Sequence, residues 1–110
     1  MEQGVRFNDE KIQWSLVDFE SHEEMVRVLE AGCKKYSKDN WKKGGEQFAS
    51  SKICESLLRH VFAYMKGEEL DSESGLCHLA HAQCNLMFLQ YHRKHNPELN
   101  DLINKNKTDE

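Results

Sequence analysis

Proline occurs once in this chain and glycine six times. So little turn chemistry argues against an all-β domain of many short strands, which needs such residues at each reversal. There is also no apolar run near the roughly 20 residues that a membrane-spanning helix requires. Met1-Glu2-Gln3-Gly4 does not open a secretory signal. The expectation is a cytoplasmic protein with no membrane partner. Positive charge is in deficit, with 15 Lys and Arg against 19 Asp and Glu and a net charge of −4. Proteins that grip duplex nucleic acid normally show the opposite balance. Four cysteines stand at 33, 54, 77 and 84 without a Cys-x-x-Cys pair. Cys77 and Cys84 are a heptad apart on one expected helix, too far to bond each other, so all four read as reduced thiols.

The 110 residues suit one domain with a modest core. The expected fold is all-α: a small helical bundle over 21–95, an extended N-terminal arm over 1–20 lying on the body, and a polar tail over 96–110. Ser21 reads as an N-cap with Glu24 completing a capping box, ahead of a helix over 22–36 with Met25, Val28 and Leu29 on one face. A polar loop from Tyr36 ends at Gly44-Gly45. Phe48, Ile53, Leu57, Leu58, Val61, Phe62 and Met65 recur at helical spacing and place a second helix over 47–66, stopped by Gly67. A third helix is expected over 73–94, capped by Asp71 or Ser72 and ended by Pro97. It is apolar on most sides (Leu76, Leu79, Ala80, Leu86, Met87, Phe88, Leu89, Tyr91), which makes it central and suggests a homo-oligomer interface.

Two local charge patterns stand out. Glu68, Glu69, Asp71 and Glu73 put four carboxylates in six residues, a density that suits Mg²⁺ or Mn²⁺ held by oxygen ligands. An acidic helix N-terminus favoured by the macrodipole is the plainer alternative. Just beyond, His78, His81 and Asn85 fall at i, i+3 and i+7 on one helical face. Unpaired buried polar groups cost about 1–3 kcal/mol each, so the three are expected to share a pocket with His60 of the preceding helix. His22, His92 and His95 read as surface residues. The second pattern is the segment 34–44, with five lysines, one acid, Tyr36 and Trp41. It fits a phosphate-bearing ligand whose base stacks on an aromatic ring, or else a solvated loop anchored by Trp41.

Lys35-Tyr36-x-x-x-Asn40-Trp41, then Arg59-His60, then Gly67-Glu68-Glu69-x-Asp71-x-Glu73-Ser74-Gly75-x-x-His78-x-x-His81-Ala82-x-x-Asn85 together resemble a family of small, largely phage-encoded proteins, the dATP/dGTP diphosphohydrolase N-terminal domain. The resemblance covers about residues 11–92. It implies an all-α, distantly MazG-like protein that handles purine deoxynucleotides, in the cytoplasm of the host cell if phage-encoded. MazG-like enzymes hold Mg²⁺ with Glu-Glu-x-x-Glu, which this chain lacks on its central helices. The favoured function is metal-dependent cleavage of a purine deoxynucleoside triphosphate to monophosphate and pyrophosphate. Glu68, Glu69, Asp71 and Glu73 would hold Mg²⁺ or Mn²⁺, with Glu69 counted as catalytic. His60, His78 or His81 would act as general base or phosphate donor. Arg59, Lys35, Lys38, Lys42 and Lys43 would face the polyphosphate, Tyr36 or Trp41 the base, and Asn40 and Asn85 would complete the binding set. A non-catalytic nucleotide-binding module is the alternative, and a structural helical module with an internal His/Asn network is a third reading.

Overall fold

The computed structural model describes residues 2–102, in which three helices form: α1 (Phe19–Lys35), α2 (Ser50–Met65) and α3 (His78–His95). Short 3-10 turns occupy Trp14–Leu16, Asn40–Lys43, Glu46–Phe48 and Pro97–Leu99. Among the described residues no strand forms, and sheet geometry is limited to an isolated antiparallel bridge between Leu70 and Cys77. The fold is all-α. Helix α3 is its centre, with α2 and α1 packed against it and the turns at Asn40–Lys43 and Pro97–Leu99 resting on it.

The first helix begins earlier than its capping box suggests. Asp18, not Ser21, is the N-cap: its carboxylate accepts from the Ser21 backbone N–H at 3.1 Å and from the Ser21 hydroxyl at 2.6 Å. Met25, Val28 and Leu29 do turn inward on α1. Helix α2 starts at Ser50 because Glu46–Phe48 winds as a 3-10 turn first. No local side chain caps α2; Asp101, fifty residues on, accepts from the Ser51 backbone N–H at 2.9 Å and also from its hydroxyl. The segment just after α3 is thereby tied to the start of α2. The remainder of the expected polar tail, 103–110, lies outside the described residues.

At the other end of α2, Glu68 N–H reaches the Ala63 carbonyl and Gly67 N–H the Tyr64 carbonyl, both at 3.0 Å. Gly67 has φ +99°. That pair of bonds is a Schellman stop, which needs a left-handed residue that glycine adopts without strain. The chain then makes a compact loop instead of starting α3 at 73. The Asp71 carboxylate accepts from Ser74 N–H at 2.8 Å, Gly75 N–H donates to the Asp71 carbonyl at 2.7 Å, and Gly75 has φ +73°. A helix cannot run through that glycine, so α3 opens at His78, after the Leu70–Cys77 bridge.

The core is thin. Among the described residues Ile53, Ala80, Ala82 and Cys84 are the buried apolar ones, and no large side chain is wholly enclosed. Of the apolar residues expected to line α2, Leu58, Phe62 and Met65 face out, as do Leu79 and Leu86 of α3. The expectation that the arm lies on the body is corrected too: Val5, Phe7, Ile12, Trp14 and Leu16 are 71–81% exposed. The radius of gyration, 18.4 Å, exceeds the roughly 13 Å of a compact domain this long. Among the described residues no helix is long and apolar enough to cross a membrane.

Candidate functional site

Three histidines converge where the end of α2, the acidic loop and the first turn of α3 meet. His78, 4% exposed, sits between two partners. Its Nε2 lies 2.7 Å from Glu68 Oε2 and its Nδ1 lies 2.8 Å from His60 Nδ1. The loop also holds its backbone, since His78 N–H donates to the Glu69 carbonyl at 2.9 Å. The carboxylate can only accept, so Nε2 carries the His78 proton and Nδ1 presents a lone pair to the Nδ1–H of His60. One turn further on, His81 stacks on His60 with centroids 4.5 Å apart and planes 8° from parallel.

His81 is fixed from its other side. Ser74 Oγ accepts from Leu76 N–H at 3.1 Å and lies 2.7 Å from His81 Nε2, with Asp71 Oδ2 at 4.0 Å from the same nitrogen. The Ser74–His81 hydrogen bond orients the imidazole ring from the loop side. Burial pushes both His60 and His81 below the ordinary imidazole value. For His60 the neighbouring His81 and His78 add to that push, whereas Asp71 opposes it for both. Burial would raise Asp71, but hydrogen bonds from the Ser74 backbone and side chain outweigh it and hold the carboxyl low. Asn85 completes the cluster, its amide donating to Ser56 Oγ across on α2 at 3.2 Å and to the His81 carbonyl at 3.1 Å.

His81, Asn85, Ser74 and Glu73 also form one end of an open cavity of about 710 Å³ between α1, the 36–41 segment and α3. Val28, Leu29, Met87 and Phe88 make it apolar, while Lys35, Tyr36, Lys38 and Asn40 stand at its wall. Trp41 contributes to the wall too, but its ring is committed to the protein. It stacks on Phe88 at 4.8 Å and meets Tyr91 edge-on at 4.9 Å. Lys42 lies over the Trp41 and Tyr91 rings and pairs with Asp39 at 3.5 Å. Neither Lys42, Lys43 nor Arg59 lines the cavity.

The acidic run is split by its loop. Glu68 and Asp71 turn toward the histidines, whereas Glu73 is exposed and 3.9 Å from Lys35. Glu69 is exposed and engages His78 through its backbone alone. No three of these four acids bring carboxylate oxygens together. Among the described residues, the group that places three ligand atoms within 4.8 Å of one another is His60, Asp71 and His78. Mg²⁺ demands an oxygen octahedron, and that mixed imidazole–carboxylate set does not fit it.

Two residues escaped the sequence reading. Ser74, which orients His81, belongs to the Glu-Ser-Gly run but gives no periodic signal. His92, read as a surface residue, is 3% exposed. Its Nε2–H donates to the Trp41 carbonyl at 2.9 Å, and its Nδ1 accepts from Asn96 at 3.0 Å. Its signal was present in the spacing, because His78, Asn85 and His92 are successive heptad positions and all are buried. The four cysteines are free thiols; burial pushes that of Cys84 up to about 12.

A family model described as dATP/dGTP diphosphohydrolase, N-terminal, matches residues 1–102. A dATP/dGTP diphosphohydrolase of Salmonella phage PMBT28 is 34% identical over 98 residues. That alignment takes in 89% of this chain but 32% of the phage protein, so the chain spans about a third of its relative's length. No solved structure matches. The chain belongs to the dATP/dGTP diphosphohydrolase N-terminal family.

Proposed function

We propose that this family member binds a purine deoxynucleoside triphosphate in the cavity beside His81 and promotes its cleavage to monophosphate and pyrophosphate. One observation carries the reading: an apolar-floored cavity has cationic residues on its wall and an oriented, neutral imidazole at its end. Its 710 Å³ falls within the roughly 300–1,000 Å³ of small-molecule sites. The purine lies on the apolar floor near Tyr36, and the triphosphate runs past Lys35 and Lys38 toward His81. His81, oriented by Ser74, takes the proton of the attacking water on its unprotonated ring nitrogen as the water oxygen bonds the α-phosphorus. The α–β phosphoanhydride bond breaks and pyrophosphate leaves with the bond's electrons. Mg²⁺ or Mn²⁺ arrives with the triphosphate and neutralises part of its charge when bound.

A second reading, binding without hydrolysis, is favoured by a specific fact: the chain matches a third of a relative that bears the enzyme's name. The chemistry would then need residues from elsewhere. Self-association through Leu58, Phe62 and Met65 of α2, which the described residues leave exposed, belongs to either reading. The deciding experiment offers dATP, dGTP, ATP, GTP and dCTP with Mg²⁺ or Mn²⁺, measuring binding by calorimetry and pyrophosphate by chromatography. Purine-selective binding with pyrophosphate release supports the enzyme. Tight binding with no release leaves the binding module. Absence of binding to every nucleotide refutes both.

A further inference from the structure

We propose that His60, His78 and Asp71 form a resident site for a divalent transition ion that prefers imidazole, with Zn²⁺ as the reference case, and that Glu68 orients it from behind. The proposal does not depend on what occupies the cavity. It starts from proton bookkeeping around His78. Glu68 takes the Nε2–H at 2.7 Å, so the bare nitrogen is Nδ1, which points at His60. A carboxylate gripping the far nitrogen of a buried imidazole is the arrangement that fixes the tautomer and orientation of a metal-binding histidine.

The spacing agrees. Nitrogen ligands bond Zn²⁺ at about 2.0–2.1 Å, so two of them on one ion lie roughly 3 Å apart. His60 Nδ1 and His78 Nδ1 are already 2.8 Å apart. To ligate, His60 moves its proton from Nδ1 to Nε2 and exchanges a hydrogen bond for a metal bond. Asp71 supplies the oxygen ligand from the loop between Gly67 and Gly75, both with positive φ. His81, stacked on His60, limits rotation of that ring. Two imidazoles and one carboxylate suit Zn²⁺, Co²⁺ or their neighbours far better than Mg²⁺, and they leave coordination positions open to water or a phosphate oxygen.

The test uses chelator-treated full-length protein and no nucleotide. Co²⁺ is titrated while visible ligand-field bands are followed, Zn²⁺ is titrated by calorimetry, and melting is recorded with and without Zn²⁺. A single ion per chain is expected, with a raised melting temperature and no competition from a large excess of Mg²⁺. His60→Gln and Asp71→Asn, chosen to spare the fold, should abolish the bands and the Zn²⁺-dependent melting shift. Glu68→Gln should retain one ion but bind it about 10–100-fold more weakly. His22→Gln, an exposed residue outside the cluster, should bind as wild type. Wild-type protein that gives no Co²⁺ bands, an ion that survives His60→Gln or Asp71→Asn, or displacement by equimolar Mg²⁺ would each overturn the proposal. The His60–His78–Glu68 chain would then be a hydrogen-bonded brace and nothing more.

Discussion

Replacing His92 with alanine should weaken both the fold and the cavity, although His92 is not among the residues lining that cavity. The ring is 3% exposed and lies against Trp41, Phe48 and Tyr91. Removing a buried ring of this size costs about 2 kcal/mol in lost transfer energy and residual cavity. The Trp41 carbonyl, part-buried, also loses the donor it had at 2.9 Å, which adds about 1 kcal/mol. A sum of about 3 kcal/mol, set against an unfolding entropy of about 0.23 kcal/mol/K for a chain of this length, lowers the melting temperature by about 13 °C. Thermal unfolding followed by circular dichroism measures that. His92→Gln keeps an N–H for the Trp41 carbonyl and should recover part of the loss. Calorimetry with a purine triphosphate should show weaker binding for His92→Ala, because the Asn40–Lys43 turn that carries the cavity wall loses its tie to α3. A melting temperature within 2 °C of wild type would refute the claim that His92 pins this turn.

Gly44→Ala should destabilise by about 1–2 kcal/mol, because Gly44 has φ +76° and a Cβ there would lie 3.3 Å from Leu99 Cδ1; denaturant melts check it. In metal-free protein, His60 and His81 titrate below 6.5 in the fold, so between that value and their folded pKa values the unfolded chain binds more protons. Stability should therefore be full above about pH 6.5 and decline as pH falls through that window, and a flat urea midpoint from pH 7.5 to 5 would contradict it. Lys38→Glu should weaken triphosphate binding about fivefold at low ionic strength, with the effect shrinking as salt is added. Phe62→Glu should shift any self-associated species toward monomer in light scattering coupled to size exclusion while leaving the helical spectrum intact.

How far these features could be read from the chain depended on whether their cause is local. Helix content and the order of the helices follow from apolar periodicity, which is a short-range property, and all three helices lie where it puts them. The polar stripe of His78, His81 and Asn85 was legible for the same reason, since i, i+3 and i+7 share a face whatever that face touches. Helix starts were not. The start of α1 depended on Asp18 outcompeting Ser21 for the cap, that of α2 on Asp101 from fifty residues away, and that of α3 on how the acidic loop spends its glycines. The acids show the same limit. Four carboxylates in six residues look alike as a string, yet only the three-dimensional course of the loop aims Glu68 and Asp71 at the histidines and leaves the Glu69 and Glu73 carboxylates without a bond to them.

Helix α3 explains why apolarity misled where polarity did not. Its buried stripe is His78, Asn85 and His92, flanked by Ala80, Ala82 and Cys84, while Leu79 and Leu86 face outward. Small residues let α2 and α1 approach the helix closely, and the polar side chains then find partners at 2.7–3.2 Å: Glu68 and His60 for His78, Ser56 for Asn85, Trp41 for His92. No buried side-chain polar atom among the described residues lacks a hydrogen bond. With no large apolar side chain among the described residues wholly enclosed, area burial alone cannot choose one packing of the helices, because oily contacts tolerate a slide of one turn at little cost. A hydrogen-bonded partner does not tolerate it, since a slip leaves a donor or acceptor unpaired at about 1–3 kcal/mol. The stripe thus sets the register of α2, and of the Asn40–Lys43 turn, on α3. The same register brings His60 to His78 at one end, holds Trp41 against Phe88 at the other, and leaves the cavity between them.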